Sequence, residues 1–289
     1  MTGSAVLVLL SLILAFAPGL NFGIDFRGGI LIEVQTHGPA DLGEMRSKTG
    51  SLGLGEVSLQ EFGADDTVLI RVQKQPGDSE AQQAAVTKVR AALGEGLDYR
   101  RTEFVGPKVS GELIQAGAIA IALAVVLMLI YIWFRFEWHF GVGAVVALVH
   151  DVALSVGMFA ITQLEFNLST IAALLTIVGY SINDTVVVYD RVRENLRKYK
   201  SKSLPDVLNL AINDTLSRTT MTSITTLLAL VVLFIFGGAV IQGFVFAMIW
   251  GVAIGTYSSI FIAAPLLIVL GLGDRHRSGG NQGTAKSTT

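Results

Sequence analysis

Long apolar runs alternate with polar regions along the chain. After a first apolar run at residues 4–20, charged residues recur and apolar runs become short until about residue 110. Further apolar segments follow at residues 113–134, 140–161, 168–189, 219–236 and 244–270. A helix needs about 20 apolar residues to cross a bilayer, and the first run is near the lower limit. The pattern therefore predicts a multi-pass helical membrane protein with six transmembrane helices.

The first apolar run has two interpretations. No basic residue precedes it, and the first one in the chain is Arg27. Signal peptides carry a positively charged segment before their apolar core. We therefore expect a retained transmembrane helix at residues 4–20. A cleaved signal peptide, with residues 15–17 as the cleavage site, is the alternative.

The region at residues 21–110 has the pattern of an α+β domain. Apolar residues alternate with period two around residues 30–34 and 68–72, which is typical of half-buried strands. A weaker helical pattern lies between these strands, and a second helix follows, with Ser79 and Gln82 as a capping box. With short strands near residue 57 and at residues 99–105, the order is βαββαβ. This order predicts a ferredoxin-like domain.

The rest of the chain divides into a bundle and a tail. Residues 111–271 predict five membrane helices, with a longer polar link at residues 191–217. Residues 272–289 offer almost no apolar side chains that could pack, so we expect a disordered cytoplasmic tail.

Basic residues predict the orientation. They occur in the connections around residue 135 and at residues 191–202, and again just after the last helix, whereas the connections at 162–167 and 237–242 have none. Because Lys and Arg favour the cytoplasmic side of short connections, both termini are expected in the cytoplasm. The domain at residues 21–110 is then extracytoplasmic.

Composition narrows the function classes. Hydrophobic residues make up 52% of the chain, the net charge is −2 and cysteine is absent; the mean hydropathy is +0.60. No global positive field is available to attract nucleic acid, so we expect no nucleic-acid partner. The absence of cysteine excludes disulfides and thiolate chemistry.

Ionisable residues inside the predicted spans are the candidate functional residues. Asp184, with Asn183 beside it, lies in the fourth span, and Arg218 opens the fifth. A charged group in the bilayer centre costs about 2.5–3.5 kcal/mol on insertion scales, so it is expected to face the bundle interior and to have a function. Burial raises the proton affinity of a carboxylate and a nearby Arg lowers it. This pair predicts reversible protonation, with Arg218 reaching the headgroup region as the alternative.

His150 and Asp151, in the third span, are secondary candidates. They either join helices through hydrogen bonds or handle protons. Neighbouring residues of a helix point about 100° apart, so the two are not expected simply to line one path.

Several motifs resemble one family throughout. They are NFGIDFRGG at residues 21–29, FVGPKVSGELI at 104–114, ALVHDV at 147–152, GYSINDTVVVYDRVREN at 179–195 and RTTMTS at 218–223. Together they resemble the SecF family of protein-export subunits. The match covers nearly the whole chain, and the motif in the fourth span is very specific.

The resemblance implies a function and its partners. It implies half of a proton-driven transporter of the resistance-nodulation-division superfamily, in the inner membrane of a bacterium or in the plasma membrane of an archaeon. The half pairs with SecD, docks on the SecYEG channel and uses the proton-motive force to draw out unfolded polypeptide. Asp184 and Arg218 fall on the family's proton-conducting positions. A subunit of this kind is not an enzyme.

Alternative functions remain open at this point. They are half of an efflux transporter of the same superfamily and a scaffold that does not transport. Nucleotide binding is not expected, because the glycine-rich residues 23–29 lack the lysine and the following helix of a P-loop, and residues 280–287 lack the preceding strand. We expect no cofactor besides protons.

Overall fold

The computed structural model describes residues 2–17, 19–94 and 96–272, with only the backbone at residues 107, 108 and 239. The predicted tail at 272–289 thus lies outside the described residues except for Leu272. The chain folds into a bundle of long helices with a small α+β domain at one end. The domain bounds expected from the sequence stay predictions.

Long apolar helices form the bundle. Helix α1 spans Thr2–Phe16, and the later ones are α5 (Pro107–Arg135), α6 (Trp138–Thr162), α7 (Leu168–Lys198), α8 (Leu204–Phe236) and α9 (Ala239–Ser258). Helix α9 continues through a π-turn (Ser259–Ala263) into α10 (Ala264–Val269). In the described residues, five helical segments are long and apolar enough to cross a membrane. The five later spans expected from the sequence are therefore confirmed.

Helix α1 is shorter than the predicted span. Its 15 residues extend about 22 Å at 1.5 Å per residue, against a hydrocarbon core of about 30 Å. It packs along α6, where Gly157 provides the space for Ser11. Large apolar side chains on its other faces are exposed, including Leu9 and Phe16.

The prediction of a long polar connection at residues 191–217 is wrong. Helix α7 continues to Lys198 and α8 begins at Leu204, so only residues 199–203 separate them. Val192, Leu208 and Ala211 are buried between the two helices. Hydropathy detects only the part of a helix that lies in lipid, and these helices continue beyond it with polar outer faces.

The α+β domain contains one antiparallel sheet. Its strands are β1 (Gly29–Gln35), β2 (Val57–Phe62), β3 (Ala64–Val72) and β4 (Asp98–Val105), in the order β2-β3-β1-β4. Helices α3 (Leu42–Gly50) and α4 (Ser79–Leu93) connect them, so the element order βαββαβ is observed. Both helices contribute to a core against alternate residues of β1 and β3.

The predicted capping box of α4 is wrong. Asp78 caps the helix, since its carboxylate accepts a hydrogen bond from the backbone N–H of Glu80. Gln82 instead makes two hydrogen bonds to the backbone of Gln75. Asp is as good a cap as Ser, so the sequence could not decide between the neighbouring positions 78 and 79.

Polar contacts fix the domain on the bundle. The short helix α2 (Ile24–Arg27) brings Asp25 to the start of α7, where its carboxylate accepts a hydrogen bond from the backbone N–H of Leu168. Arg71 on β3 forms a 2.7 Å ion pair with Glu165, in the connection between α6 and α7. The sheet is therefore attached to the end of the helices that carry the candidate residues.

Candidate functional site

Two buried carboxylates lie inside the bundle. Asp151, in the middle of α6, is fully buried, and Asp184 on α7 is 7% exposed. Both face α9, which packs between these helices and α8. An ionised carboxylate without partners would be costly in such a place, so its contacts determine what it can do.

Asp151 is held by three polar side chains. Its Oδ2 accepts hydrogen bonds from Ser181 on α7 at 2.5 Å and from Ser258 on α9 at 2.7 Å. Its Oδ1 lies 2.9 Å from Nδ1 of His150. The two candidates expected to point apart are therefore in direct contact. Asp151 connects three helices through these bonds.

The ring of His150 completes this group. It is stacked against Tyr257 with ring centroids 6.1 Å apart, and the hydroxyl of Tyr257 lies 3.0 Å from that of Ser4 on α1. Nε2 of His150 is buried and has no hydrogen-bond partner in the described part of the chain. His150 therefore has one nitrogen directed to Asp151 and one that is buried without a hydrogen-bond partner among the described residues.

Asp184 is held by hydroxyl groups alone. Oδ1 accepts a 2.5 Å hydrogen bond from Thr219 on α8, and Oδ2 accepts a short one from Ser259 in the π-turn. Within the described ranges no Lys or Arg forms an ion pair with Asp184 or Asp151. Hydroxyls can donate to a carboxylate and accept from a carboxylic acid, so this site suits both protonation states.

Arg218 and Asn183 lie elsewhere. Arg218 precedes Thr219 but its side chain is exposed on the outer face of α8, and Asn183 is exposed on α7. Across residues 2–17, 19–94 and 96–272, neither of them hydrogen-bonds to Asp184. The structure thus brings Asp184 together with Thr219 and Ser259, and it places Arg218 on a surface that the described residues leave exposed.

Two glycines bring α9 close to α7. A Cβ atom at Gly251 would lie 2.1 Å from Cγ1 of Ile177, and one at Gly255 would lie 3.1 Å from Cβ of Ser181. The spacing GVAIG is the small-xxx-small pattern of close membrane helices. This approach allows Ser181 and Ser258 to share Oδ2 of Asp151.

Sequence reasoning missed the hydroxyl residues of the site. Ser181, Ser258 and Ser259 are ordinary small polar residues in the sequence, and only the fold brings them to a carboxylate. The GVAIG pattern was the available signal, since it marks where α9 approaches a neighbour and hence which serines are buried. In the described residues, no group of three His, Asp or Glu side chains could hold a metal ion.

Comparisons with known proteins agree with these features. The family model "Protein export membrane protein SecD/SecF, C-terminal" matches residues 85–273, and the SecD/SecF GG motif matches residues 13–40. The protein translocase subunit SecF of Rhodobacter capsulatus is 51% identical over 291 aligned positions, covering 95% of this chain and 87% of its own. The subunit of the same name from Rickettsia rickettsii is 49% identical over 268, covering 92% and 87%.

Solved structures give the same result. The crystal structure of SecDF, a translocon-associated membrane protein from Thermus thermophilus, has a TM-score of 0.85 and 35% identity over 93% of this chain. This chain spans only 37% of that longer one. SecDF in a super-membrane-facing form has a TM-score of 0.66 at 31% identity, covering 98% of this chain and 38% of that one.

The resemblance seen in the sequence motifs is thereby confirmed. The matched regions include α6, α7, α8 and α9, which carry both buried carboxylates. The chain belongs to the SecF family of protein translocase subunits.

Proposed function

We propose that this chain is the SecF half of a SecDF-type complex, in which reversible protonation of Asp184 couples the proton-motive force to polypeptide export. The main support is that Asp184 is a buried carboxylate in a membrane helix and accepts hydrogen bonds from two hydroxyl groups, those of Thr219 and Ser259. A carboxylate held by Arg would stay ionised, whereas hydroxyls accommodate the acid as well. Asp184 is therefore suited to bind and release a proton.

The proposal includes a partner on the outer face of α8. The described part of the chain leaves most of this helix uncovered, and exposed apolar residues such as Met221 and Leu228 lie on it along with Arg218. A guanidinium facing lipid is costly, and a partner with a carboxylate would remove that cost. SecD is the proposed partner, and Arg218 then acts at the interface of the two halves. Asn183, exposed on α7, is assigned to the same proton path as a neutral hydrogen-bonding group.

The proposed topology has six spans. Helix α1 is assigned as the first span, in addition to the five long apolar helices. The α+β domain, with its βαββαβ order and antiparallel sheet, is assigned to the ferredoxin-like fold and to the extracytoplasmic side. The basic residues at the opposite end, such as Arg135 and Arg197, support cytoplasmic termini in a bacterial or archaeal inner membrane.

The remaining partners follow from the proposed role. The complex would dock on SecYEG and act on unfolded polypeptide as it emerges. It would not be an enzyme and would need no cofactor or nucleotide, since its energy comes from the proton gradient.

The test measures proton conductance and export together. Vesicles with this chain and SecD are compared with the Asp184→Asn and Arg218→Met variants. Both activities should fall close to background at unchanged abundance of the complex. Asp190→Asn is the matched control, because Asp190 lies on the same helix but in an exposed ion pair with Arg135, and it should retain both activities.

Other results would support other functions. If export falls in Asp184→Asn while conductance is unchanged, Asp184 is structural and the proton mechanism is refuted. If neither changes, a scaffold that does not transport is favoured. Proton-dependent movement of small molecules by the complex without any effect on export would favour an efflux transporter.

A further inference from the structure

Consecutive serines at the end of α9 contact carboxylates on two different helices. Ser258 donates a 2.7 Å hydrogen bond to Asp151 on α6, and Ser259 donates to Asp184 on α7. Neighbouring helix residues point about 100° apart, which allows adjacent hydroxyls to serve separate partners. We propose that Ser258 and Ser259 are positioning residues that make the proton occupancy of Asp151 and Asp184 interdependent. This inference rests on the proposed function and adds a second proton site to it.

Each serine has a second acceptor within reach. Oγ of Ser258 lies 3.1 Å from the carbonyl oxygen of Gly255, and Oγ of Ser259 lies 3.0 Å from that of Thr256. When the carboxylate is ionised, the hydroxyl donates to it. When the carboxylate takes up a proton, the new O–H donates to the serine oxygen, and the serine's own hydrogen turns to the backbone carbonyl. One proton enters the carboxyl group and none leaves the serine.

The backbone links the two serines. The carbonyl oxygen of Gly255 accepts the backbone N–H of Ser259 as well as the hydroxyl of Ser258. When Ser258 turns more fully to this carbonyl, it competes with the N–H of the residue that holds Asp184. The link lies where α9 changes into the π-turn Ser259–Ala263, and such turns occur frequently at functional sites.

The two carboxylates lie at different depths. Counted along α6, Asp151 is about 16 Å from the helix end at Thr162, and Asp184 is about 24 Å from the start of α7 at Leu168, at 1.5 Å per residue. Both ends adjoin the connection at residues 163–167. The carboxylates therefore stand in series across the membrane, with Asp184 nearer the far side.

Few other ionisable groups face this pair. His150 on α6 contacts Asp151, and Tyr257 on α9 stacks on His150. Helix α7 contributes Ser181 to Asp151, and α8 contributes Thr219 to Asp184; the Arg beside Thr219 is on the outer face. The serine pair is thus the contact on α9 that reaches both carboxylates.

The test follows the protonation of Asp151 by infrared titration of the complex with SecD in lipid, with the signal assigned by Asp151→Asn. Asp184→Asn mimics the protonated acid at the other site. It should shift the titration midpoint of Asp151 by about one pH unit, the size at which two groups titrate as a pair. In Ser258→Ala or Ser259→Ala chains, more than half of this shift should be lost. Loss of either contact should remove the coupling, so one of the two variants is enough for the test if it assembles with SecD.

Ser155→Ala is the matched control. Ser155 is a buried serine on α6 whose hydroxyl donates to the backbone carbonyl of Asp151 and not to its carboxylate. This variant should keep the full shift. A full shift in both α9 variants would mean that the carboxylates interact by charge alone, and no shift in the wild-type background would mean that they are independent. Either result overturns the inference, whereas the proposed function is tested separately, by conductance and export in Asp184→Asn.

Discussion

Gly251→Ala tests whether the close contact between α7 and α9 holds the site together. An added Cβ atom would lie 2.1 Å from Cγ1 of Ile177 and 2.4 and 2.7 Å from its two methyl carbons. Ile177 is fully buried, so its β-branched side chain has no free space into which it can rotate. We expect the helices to separate instead.

The size of the effect follows from these distances. Carbon atoms approach to about 3.5 Å, so the 2.1 Å contact falls short by about 1.4 Å. If α9 moved away from α7 by half of that, and Ser258 moved by the same distance from Asp151 on α6, the 2.7 Å bond between them would lengthen to about 3.4 Å, beyond the normal range for hydroxyl donors. Overpacking of this kind costs about 1–3 kcal/mol. Both stability and proton conductance should therefore fall.

The assay compares the heat-induced loss of the purified complex with proton conductance in vesicles. Gly243→Ala is the control, because Gly243 also lies in α9 but has open space where its Cβ would be. It should be neutral or slightly stabilising, since Ala favours helix more than Gly does. The double variant Gly251→Ala with Ile177→Ala should be less destabilised than the sum of the single variants, because the second change removes the clashing atoms.

Two results would refute this reasoning. One is a Gly251→Ala complex as stable as the Gly243→Ala complex, which would mean that the helices are not in tight contact at Ile177. The other is simple additivity in the double variant, which would place the cause outside this pair.

Two predictions concern the α+β domain. Arg71→Ala should loosen the domain from the bundle, because the 2.7 Å pair with Glu165 is largely shielded from water; a hydrogen bond between charged groups contributes about 1.5–3 kcal/mol. Hydrogen exchange in the sheet should rise, and unchanged exchange would contradict the role of this pair. Gln35 donates a hydrogen bond that, more than any other contact, holds the pKa of Asp66 below the ordinary value of an aspartate. A lowered pKa stabilises the fold above that value and loses its effect as the pH falls through the folded pKa. Gln35→Ala should thus destabilise the protein at neutral pH but not in strong acid, and an equal effect at both would contradict it.

Much of the fold could be predicted because its signals are local. Spans appear as continuous apolar runs, and the strands β1 and β3 appear as alternation with period two. The continuation of α7 and α8 beyond the apolar segments was missed because Val192, Leu208 and Ala211 lie among charged residues. The mean hydropathy of this region is therefore low, although these three side chains are apolar. Their burial depends on two helices meeting.

The carboxylates of the site could be predicted from the sequence, but their partners could not. Asp184 and Asp151 stand out in the sequence because charge is rare in lipid. Their partners were missed, since Ser181, Thr219 and Ser259 come from different elements of the fold, and the GVAIG pattern indicates only where α9 approaches a neighbour. The sequence suggested an ion pair between Asp184 and Arg218, because a buried carboxylate needs a partner. Hydroxyl partners were not expected.

Hydroxyl partners and a guanidinium partner would have different effects on Asp184 in its proposed role as a proton carrier. An Arg only donates hydrogen bonds, so it would hold Asp184 ionised and make proton uptake unfavourable. Thr219 and Ser259 can reverse the direction of their bonds, so Asp184 can be satisfied with or without its proton. Arg218 directly precedes Thr219, so the two side chains point about 100° apart on α8, Thr219 into the bundle and Arg218 outward. On the proposed proton mechanism, a rotation of α8 by about this angle against a partner would replace the hydroxyl of Thr219 by a positive charge near Asp184, and the movement of the helix would be coupled to the release of a proton.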